Sequence, residues 1–196
     1  MRRAQAMVRR LVAEHELVRM WTFTQAEATT AQQRREVVRR LQLAVKRLRR
    51  RIPRVKWLAV LEWHPGGHGW HVHMVVDRFI PKAVMVECWT WGFVDARLIR
   101  PKGEATGTAA ARKAASYVAK YIAPGEGENA APPHESGDQR YLRAEGLQVT
   151  ELTGEGTYHE LLTFLWRAFP RGVGWVWWSG ACEGWRGPPV LVVRSR

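Results

Sequence analysis

β-branched, aromatic and apolar side chains crowd residues 17–24, including Val18, Trp21, Thr22, Phe23 and Thr24, and predict a strand. Apolar positions then change period. Val37, Leu41, Ala44, Leu48 and Ile52 recur at helical spacing and predict an amphipathic helix over 31–51, which Pro53 ends. Thr30 and Gln33 are spaced for a capping box at its start. Residues 57–63 and 70–76 read as an antiparallel hairpin turning through Pro65, Gly66 and Gly67. Pro81 at a first helical position and Gly92 after a last turn bracket a short helix, and 93–100 reads as a fourth strand. Gly107 and Thr108 open an Ala-rich helix, stopped near 122 by Pro124 and Gly125. A polar Gly/Pro/Glu stretch, 125–139, is expected to be a mobile loop or linker. Strands at 141–149, around Trp175, Trp177 and Trp178, and at 190–193, with a helix over 158–169, complete the expectation.

The order β-α-β-β-α-β-α is a split β-α-β arrangement. It predicts an α+β fold, a central antiparallel sheet with helices packed on it. The expected organisation is a core over 1–124, the linker over 125–139, and an extension of the same domain over 140–196.

Composition adds limits. Of 196 residues, 46% are hydrophobic, enough for a buried core. No apolar run approaches the ~18 residues of a membrane span. The basic start lacks an apolar stretch, so no signal peptide is expected. Cys88 and Cys182 form no metal-ligand or redox spacing and fit reduced thiols in a cytoplasmic protein.

Charge changes the picture more. The net charge is +13, which suits a polyanionic partner, nucleic acid above all. Arg outnumbers Lys 25 to 6, a bias that a GC-rich genome would also produce. The excess is regional, however. Residues 1–56 hold 16 basic and 4 acidic residues, a net of +12, and the other 140 hold 15 and 14. Phosphate neutralisation by such residues supplies affinity without sequence information. Arg39, Arg40, Arg47 and Arg50 on the basic helix are therefore the expected DNA-holding residues, against the plainer reading of a solvated face. Among 11 Trp, most are expected in cores; Trp63 and Trp70, which flank the hairpin turn, are the candidates for stacking on bases.

Two places carry candidate chemistry. His71 and His73 are two apart on a strand and project from one face. Glu62 on the preceding strand can lie beside them. Two imidazoles and a carboxylate make a three-point metal site with open positions, suited to Mg²⁺ or Mn²⁺ in phosphate chemistry and equally to a non-haem Fe(II) oxygenase. His64 is a spare ligand or DNA contact; His64 and His68 otherwise read as loop histidines. The second place is the helix near 113–122. Lys113, Tyr117, Lys120 and Tyr121 fall at i, i+4, i+7 and i+8 and form one polar-aromatic stripe, while Ala111, Ala114, Val118 and Ile122 suit packing. A phenol beside an ammonium is a coherent nucleophile, since a nearby cation favours the phenolate and neutralises a phosphate oxygen. Taken alone, the tyrosine pair reads as packing.

His71-Val72-His73, the upstream acid Glu62, the Tyr117-Val118-Ala119-Lys120-Tyr121 helix and the strand Trp21-Thr22-Phe23-Thr24 together resemble the HUH endonucleases. More narrowly they resemble rolling-circle replication initiators (Rep proteins) of small phages and plasmids, over about residues 17–123. The resemblance implies a divalent metal, Mn²⁺ or Mg²⁺, on His71 and His73, with Glu62 in the place of the third ligand. It implies nicking of single-stranded DNA by a helix tyrosine that stays on the 5′ phosphate, and a freed 3′ hydroxyl that primes replication. Tyr117 with Lys120 matches the Y-x-x-K form of single-tyrosine initiators; Tyr117 with Tyr121 also matches the two-tyrosine Y-x-x-x-Y form. Tyr117 is taken as first nucleophile and Tyr121 as a possible second, with Lys120 and Lys113 as supporting cations.

The implied partner is single-stranded origin DNA, in linear or hairpin form. No G-x-x-x-x-G-K-[ST] run occurs, so a host helicase, with a host polymerase, is expected to assist. A membrane partner and a small-molecule substrate are not expected. The alternatives are an HUH transposase or mobilisation relaxase, and a non-catalytic single-strand-binding module. The oxygenase leaves the basic segment and the tyrosine helix unexplained.

Overall fold

A computed structural model describes residues 2–64, 69–99, 108–122, 137–149, 156–168, 173–187 and 190–195. The chain divides into two compact units, 1–149 and 150–196.

The first unit has the expected α+β fold. Its strands are β1 (Arg19–Gln25), β2 (Trp57–His64), β3 (Gly69–Val76), β4 (Gly92–Leu98) and the two-residue β5 (Leu142–Arg143). They form one antiparallel sheet in the order β4-β1-β3-β2-β5. β3 lies between β1 and β2, as the split β-α-β order requires. Among the described residues, four helices accompany the sheet: α1 (Arg2–Glu14), α2 (Arg34–Arg51), α3 (Lys82–Cys88) and α4 (Thr108–Lys120). The residues expected to turn the hairpin (65–67), Gly107, Pro124, Gly125 and most of the 125–139 linker lie outside the described residues.

Both faces of the sheet are covered. Because β-strand side chains alternate, Trp21, Phe23, Ala59, Leu61, Val72 and Met74 face one way and meet Val37, Leu41 and Leu48 of α2 and Met85 of α3. Met20, Leu58, Val60 and Val75 face the other way and meet Val8, Leu11 and Val12 of α1 and Ala114, Ala115 and Val118 of α4. The predicted alanine face of α4 is therefore its buried face. α2 begins through a 3₁₀ turn, Ala31–Gln33, where the Thr30/Gln33 box forms and the Thr30 N–H donates to Gln33 Oε1 at 2.8 Å.

Helix α1 was absent from the sequence expectation. Met7, Val8, Leu11 and Val12 do recur at helical spacing, but no glycine marks the end. Instead Glu16 adopts φ 50°, and the Leu17 N–H donates to the Val12 carbonyl at 3.0 Å, closing the helix with a residue that is sterically disfavoured there. Two smaller differences concern α3 and β5. Pro81 is the N-cap of α3 rather than its first residue, and Gly92 opens β4, where a Cβ would lie 2.2 Å from the Thr24 carbonyl oxygen. Only two residues of the expected 141–149 strand pair with β2.

The second unit holds α5 (Tyr158–Ala168) and an antiparallel pair, β6 (Val173–Trp178) with β7 (Leu191–Ser195). Thr157 caps α5: its N–H and hydroxyl both donate to Glu160 Oε2 at 2.8 Å.

The histidine strand enters the sheet through Gly69, at φ 85°, where a Cβ would sit 2.2 Å from Thr29 Oγ1 and 2.4 Å from the Thr29 carbonyl oxygen. That same hydroxyl accepts the Trp70 N–H at 2.7 Å. Gly69→Ala should therefore destabilise the protein by about 1–3 kcal/mol. Urea unfolding measures this, and an unchanged midpoint would contradict the geometry.

Candidate active site

On the face shared with α1 and α4, the sheet is apolar at Leu58, Val60 and Val75 and turns polar toward the β2–β3 turn. Glu62 pairs across the ladder with His71, and Val60 with His73. On the other side His73 pairs with Thr22 of β1, and Thr22 with Asp95 of β4. Alternation puts Thr22, Glu62, His64, His71, His73 and Asp95 on this one face.

His73 is 5% exposed and is held from both flanking strands. Its Nε2 lies 2.6 Å from Glu62 Oε2 and its Nδ1 3.1 Å from Thr22 Oγ1. An ionised carboxylate only accepts, so Nε2–H donates to Glu62 and, in the neutral ring, Nδ1 accepts from the Thr22 hydroxyl. His71, two residues back, stacks on His64 with ring centroids 4.7 Å apart.

α4 brings both tyrosines over this polar end. The Tyr121 ring stacks on His73, 3.9 Å between centroids at 15°. Tyr117 meets Tyr121 edge to face at 5.5 Å. Two cations flank Tyr117. Arg97 Nη1 of β4 donates to the Tyr117 hydroxyl at 3.4 Å, and Lys120 Nζ lies 5.7 Å from the Tyr117 ring centroid. Lys113 is exposed one turn before Tyr117 on the same helix. The tyrosine stripe predicted from spacing thus meets the histidine strand.

The tyrosines are not equivalent. Burial pushes the Tyr121 phenol well above its ordinary value of 10, and Tyr117 and Glu62 push the same way while Arg97 opposes them.

Among the described residues, no group of three or more His, Cys, Asp or Glu side chains stands arranged to hold a metal ion. Glu62 is engaged with His73 and the His71 ring lies against His64. The donor set nevertheless fits a divalent cation in chemistry and placement. Glu62 and His71 are direct cross-strand partners, His73 is the next residue on the same face, and side-chain rotation alone separates this arrangement from a three-point site.

The expected DNA-holding residues lie elsewhere. α2 buries its apolar stripe on the opposite face of the sheet, so the sheet separates Arg39, Arg40, Arg47 and Arg50 from the tyrosines. Three of the four are also engaged within the chain. Arg39 binds Glu36 through two nitrogens at 2.8 and 2.9 Å, and Arg40 binds Glu36 at 3.1 Å and Gln25 at 2.6 Å. The Arg39 hydrogen bond, assisted by Arg40 and opposed by desolvation, lowers the Glu36 carboxyl to about 2. Arg47 donates to the Cys88 carbonyl at 3.0 Å and lies over Trp91. Arg50 is exposed.

The expectation for Trp70 needs correction. It is 3% exposed, and its indole N–H donates to the Ala31 carbonyl at 3.2 Å, so it presents no face for a base. Trp63, half-buried and edge-on to Trp70 at 5.3 Å, faces the α2 side as well. Both occupy the strand positions that alternate with Glu62 and His71, so alternation already assigned them to the other face.

Arg97 was not singled out from sequence. Its signal was available in β4, where Phe93, Asp95 and Arg97 alternate onto the face of Thr22.

A family model described as replication-associated protein, of the ORF2 type, matches residues 18–126. That span runs from the start of β1 through α4 and covers more than half of the 196 residues. The chain belongs to this family, which makes it a replication-associated protein with DNA as partner and suggests a role in replication initiation. No curated protein and no solved structure matches it. Among the described residues no helix is long and apolar enough to cross a membrane.

Because the folded state raises the Tyr121 value, Tyr121 keeps its proton more firmly when folded. This contribution to stability is present below the unfolded value near 10 and fades as pH rises through the folded one. Ultraviolet titration of the native protein should lose its highest-pH phenol step in Tyr121→Phe. Loss of an ordinary step instead would show that Tyr121 is not shielded by burial.

Proposed function

We propose that this replication-associated protein is an endonuclease of the HUH type, which nicks and rejoins single-stranded DNA at a replication origin. The observation that carries this reading is the stacking of Tyr121 on His73, which brings a two-tyrosine helix onto the His71/His73/Glu62 face. No packing requirement asks for a phenol, an imidazole pair and a carboxylate at one end of a sheet whose other end is aliphatic.

In this reading Tyr117 is the nucleophile. It is half-buried and has two cations beside it, whereas Tyr121 is committed to the His73 ring. The Tyr117 oxygen attacks the scissile phosphorus as the phosphorus–O3′ bond breaks. The phenol loses its proton, and the departing 3′ oxygen gains one from solvent. The 5′ phosphate remains on tyrosine, and the 3′ hydroxyl is free to prime synthesis. A second transesterification by a strand's 3′ hydroxyl restores a phosphodiester and releases the tyrosine. Lys120 and Arg97 neutralise oxygens of the phosphate being attacked. His71, His73 and Glu62 would hold Mn²⁺ or Mg²⁺, which when bound supplies Lewis-acid polarisation of a phosphate oxygen. Thr22 and Glu62 fix the orientation of His73, and Lys113 offers the strand a further positive contact. Strand separation and extension fall to other proteins, a helicase and a polymerase.

Labelled single-stranded DNA from the origin region, incubated with the protein and Mn²⁺, should give a covalent adduct on a denaturing gel. Tyr117→Phe and chelation of the metal should each abolish it, and Tyr121→Phe should retain it. Thr22→Val should slow its formation about 10- to 100-fold, the usual cost of losing a partner that orients a metal-ligating histidine. Absence of any adduct with origin strands of either polarity would sink the proposal, and loss of the adduct only in Tyr121→Phe would reverse the tyrosine assignment.

A further inference from the structure

Beside the outer strand β4 lies a cavity of about 280 Å³ that the chemistry above does not use. Its lining includes Arg19, Phe79, Lys82, Arg97 and Leu98, and among the described residues contains three cations and no acid. Phe79, just after β3, is 67% exposed although its neighbour Ile80 is buried. The Arg19 guanidinium stands 5.5 Å from the Phe79 ring centroid. Arg97 belongs to both places: it lines the cavity and donates to the Tyr117 hydroxyl.

We propose that this cavity is a nucleotide subsite that takes one base of a single DNA strand against the Phe79 ring, with the adjoining phosphates on Arg19, Lys82 and Arg97. Three arguments favour this occupant. An exposed aromatic ring beside an arginine is the combination on which unpaired bases stack, and it tolerates any base. Cations without a nearby acid suit a polyanion and disfavour a basic or neutral partner. The volume lies near the ~300 Å³ lower limit of small-molecule sites, room for a single base. The strand's register follows from Arg97. A base seated here places its neighbouring phosphate toward Tyr117, so the subsite selects which phosphate is presented. That last point rests on the nicking proposal; the existence of the base subsite does not.

The test is equilibrium binding of a fluorescein-labelled oligothymidylate to the full chain, without metal. Phe79→Ala should weaken binding about 5- to 100-fold, and Phe79→Trp should restore it, because stacking is worth about 1–3 kcal/mol per base. Arg19→Gln should lower the slope of affinity against salt concentration, while Phe79→Ala leaves that slope unchanged. Phe79 is exposed, so its replacement should not unfold the chain. Unchanged affinity in Phe79→Ala, no rescue by Trp, or an equal loss on double-stranded DNA would each overturn the subsite. The adduct assay separates the two proposals. Weakened binding in Phe79→Ala without any wild-type adduct leaves the subsite and removes the nickase; a wild-type adduct with unaltered Phe79→Ala binding does the reverse.

Discussion

β3 has no solvent-facing side. It runs between β1 and β2, and every side chain along it must be accepted by one helical layer or the other. Trp70, Val72 and Met74 go to the layer of α2 and α3. His71, His73 and Val75 go to the layer of α1 and α4. Placing an imidazole in such a strand demands a partner for each ring nitrogen, since a buried polar atom without one costs about 1–3 kcal/mol. His73 finds them in Thr22 on one neighbour and Glu62 on the other. The orientation of that ring is thus set by the register of three strands at once. A slip of one residue would exchange His73 for Val72 or Met74 and move the polar end to the opposite layer. Gly69 and the Thr29 hydroxyl guard the point where that register begins.

The helix above the polar end follows from the same constraint. α4 buries Ala114, Ala115 and Val118 against Leu58, Val60 and Val75, and the small side chains let it lie close. Tyr117 and Tyr121 then fall at the border between aliphatic and polar halves. One turn apart, they inherit different neighbours: an imidazole under Tyr121, cations around Tyr117. Identical residue types acquire distinct chemistry from a rise of about 6 Å along one helix.

Much of this was legible in the sequence because it is periodic. The two-residue period of 70–76 and the seven- and eight-residue offsets of the tyrosine helix are local, and the hairpin forces Glu62 beside His71. What was not legible depends on which layer covers which face. The basic helix carries its charges next to an apolar stripe, and the stripe alone decides where it docks. Nothing local says that this is the side away from His73. Trp63 and Trp70 adjoin the histidine strand in sequence, yet strand alternation turns them away from it in space. Arg97 meets Tyr117 only because β4 returns to the far side of β1, a contact between residues 20 apart in sequence on different elements. Helix α1 escaped because a left-handed glutamate stops it where a glycine would have announced the end.

The family match begins at residue 18, immediately after α1. Yet α1 supplies Val8, Leu11 and Val12 to the core behind the tyrosine helix, and Gln5 donates to the Ala119 carbonyl at 3.4 Å. The unit of descent and the unit of folding therefore have different boundaries in this chain. A fragment cut at the homology limit would expose the back of α4 to water and free it to shift along the sheet. Relatives that share the strands and the tyrosines must solve the same problem, and they need not solve it with the same segment. The brace behind the reactive helix is a place where members of this family can diverge without touching a single motif residue.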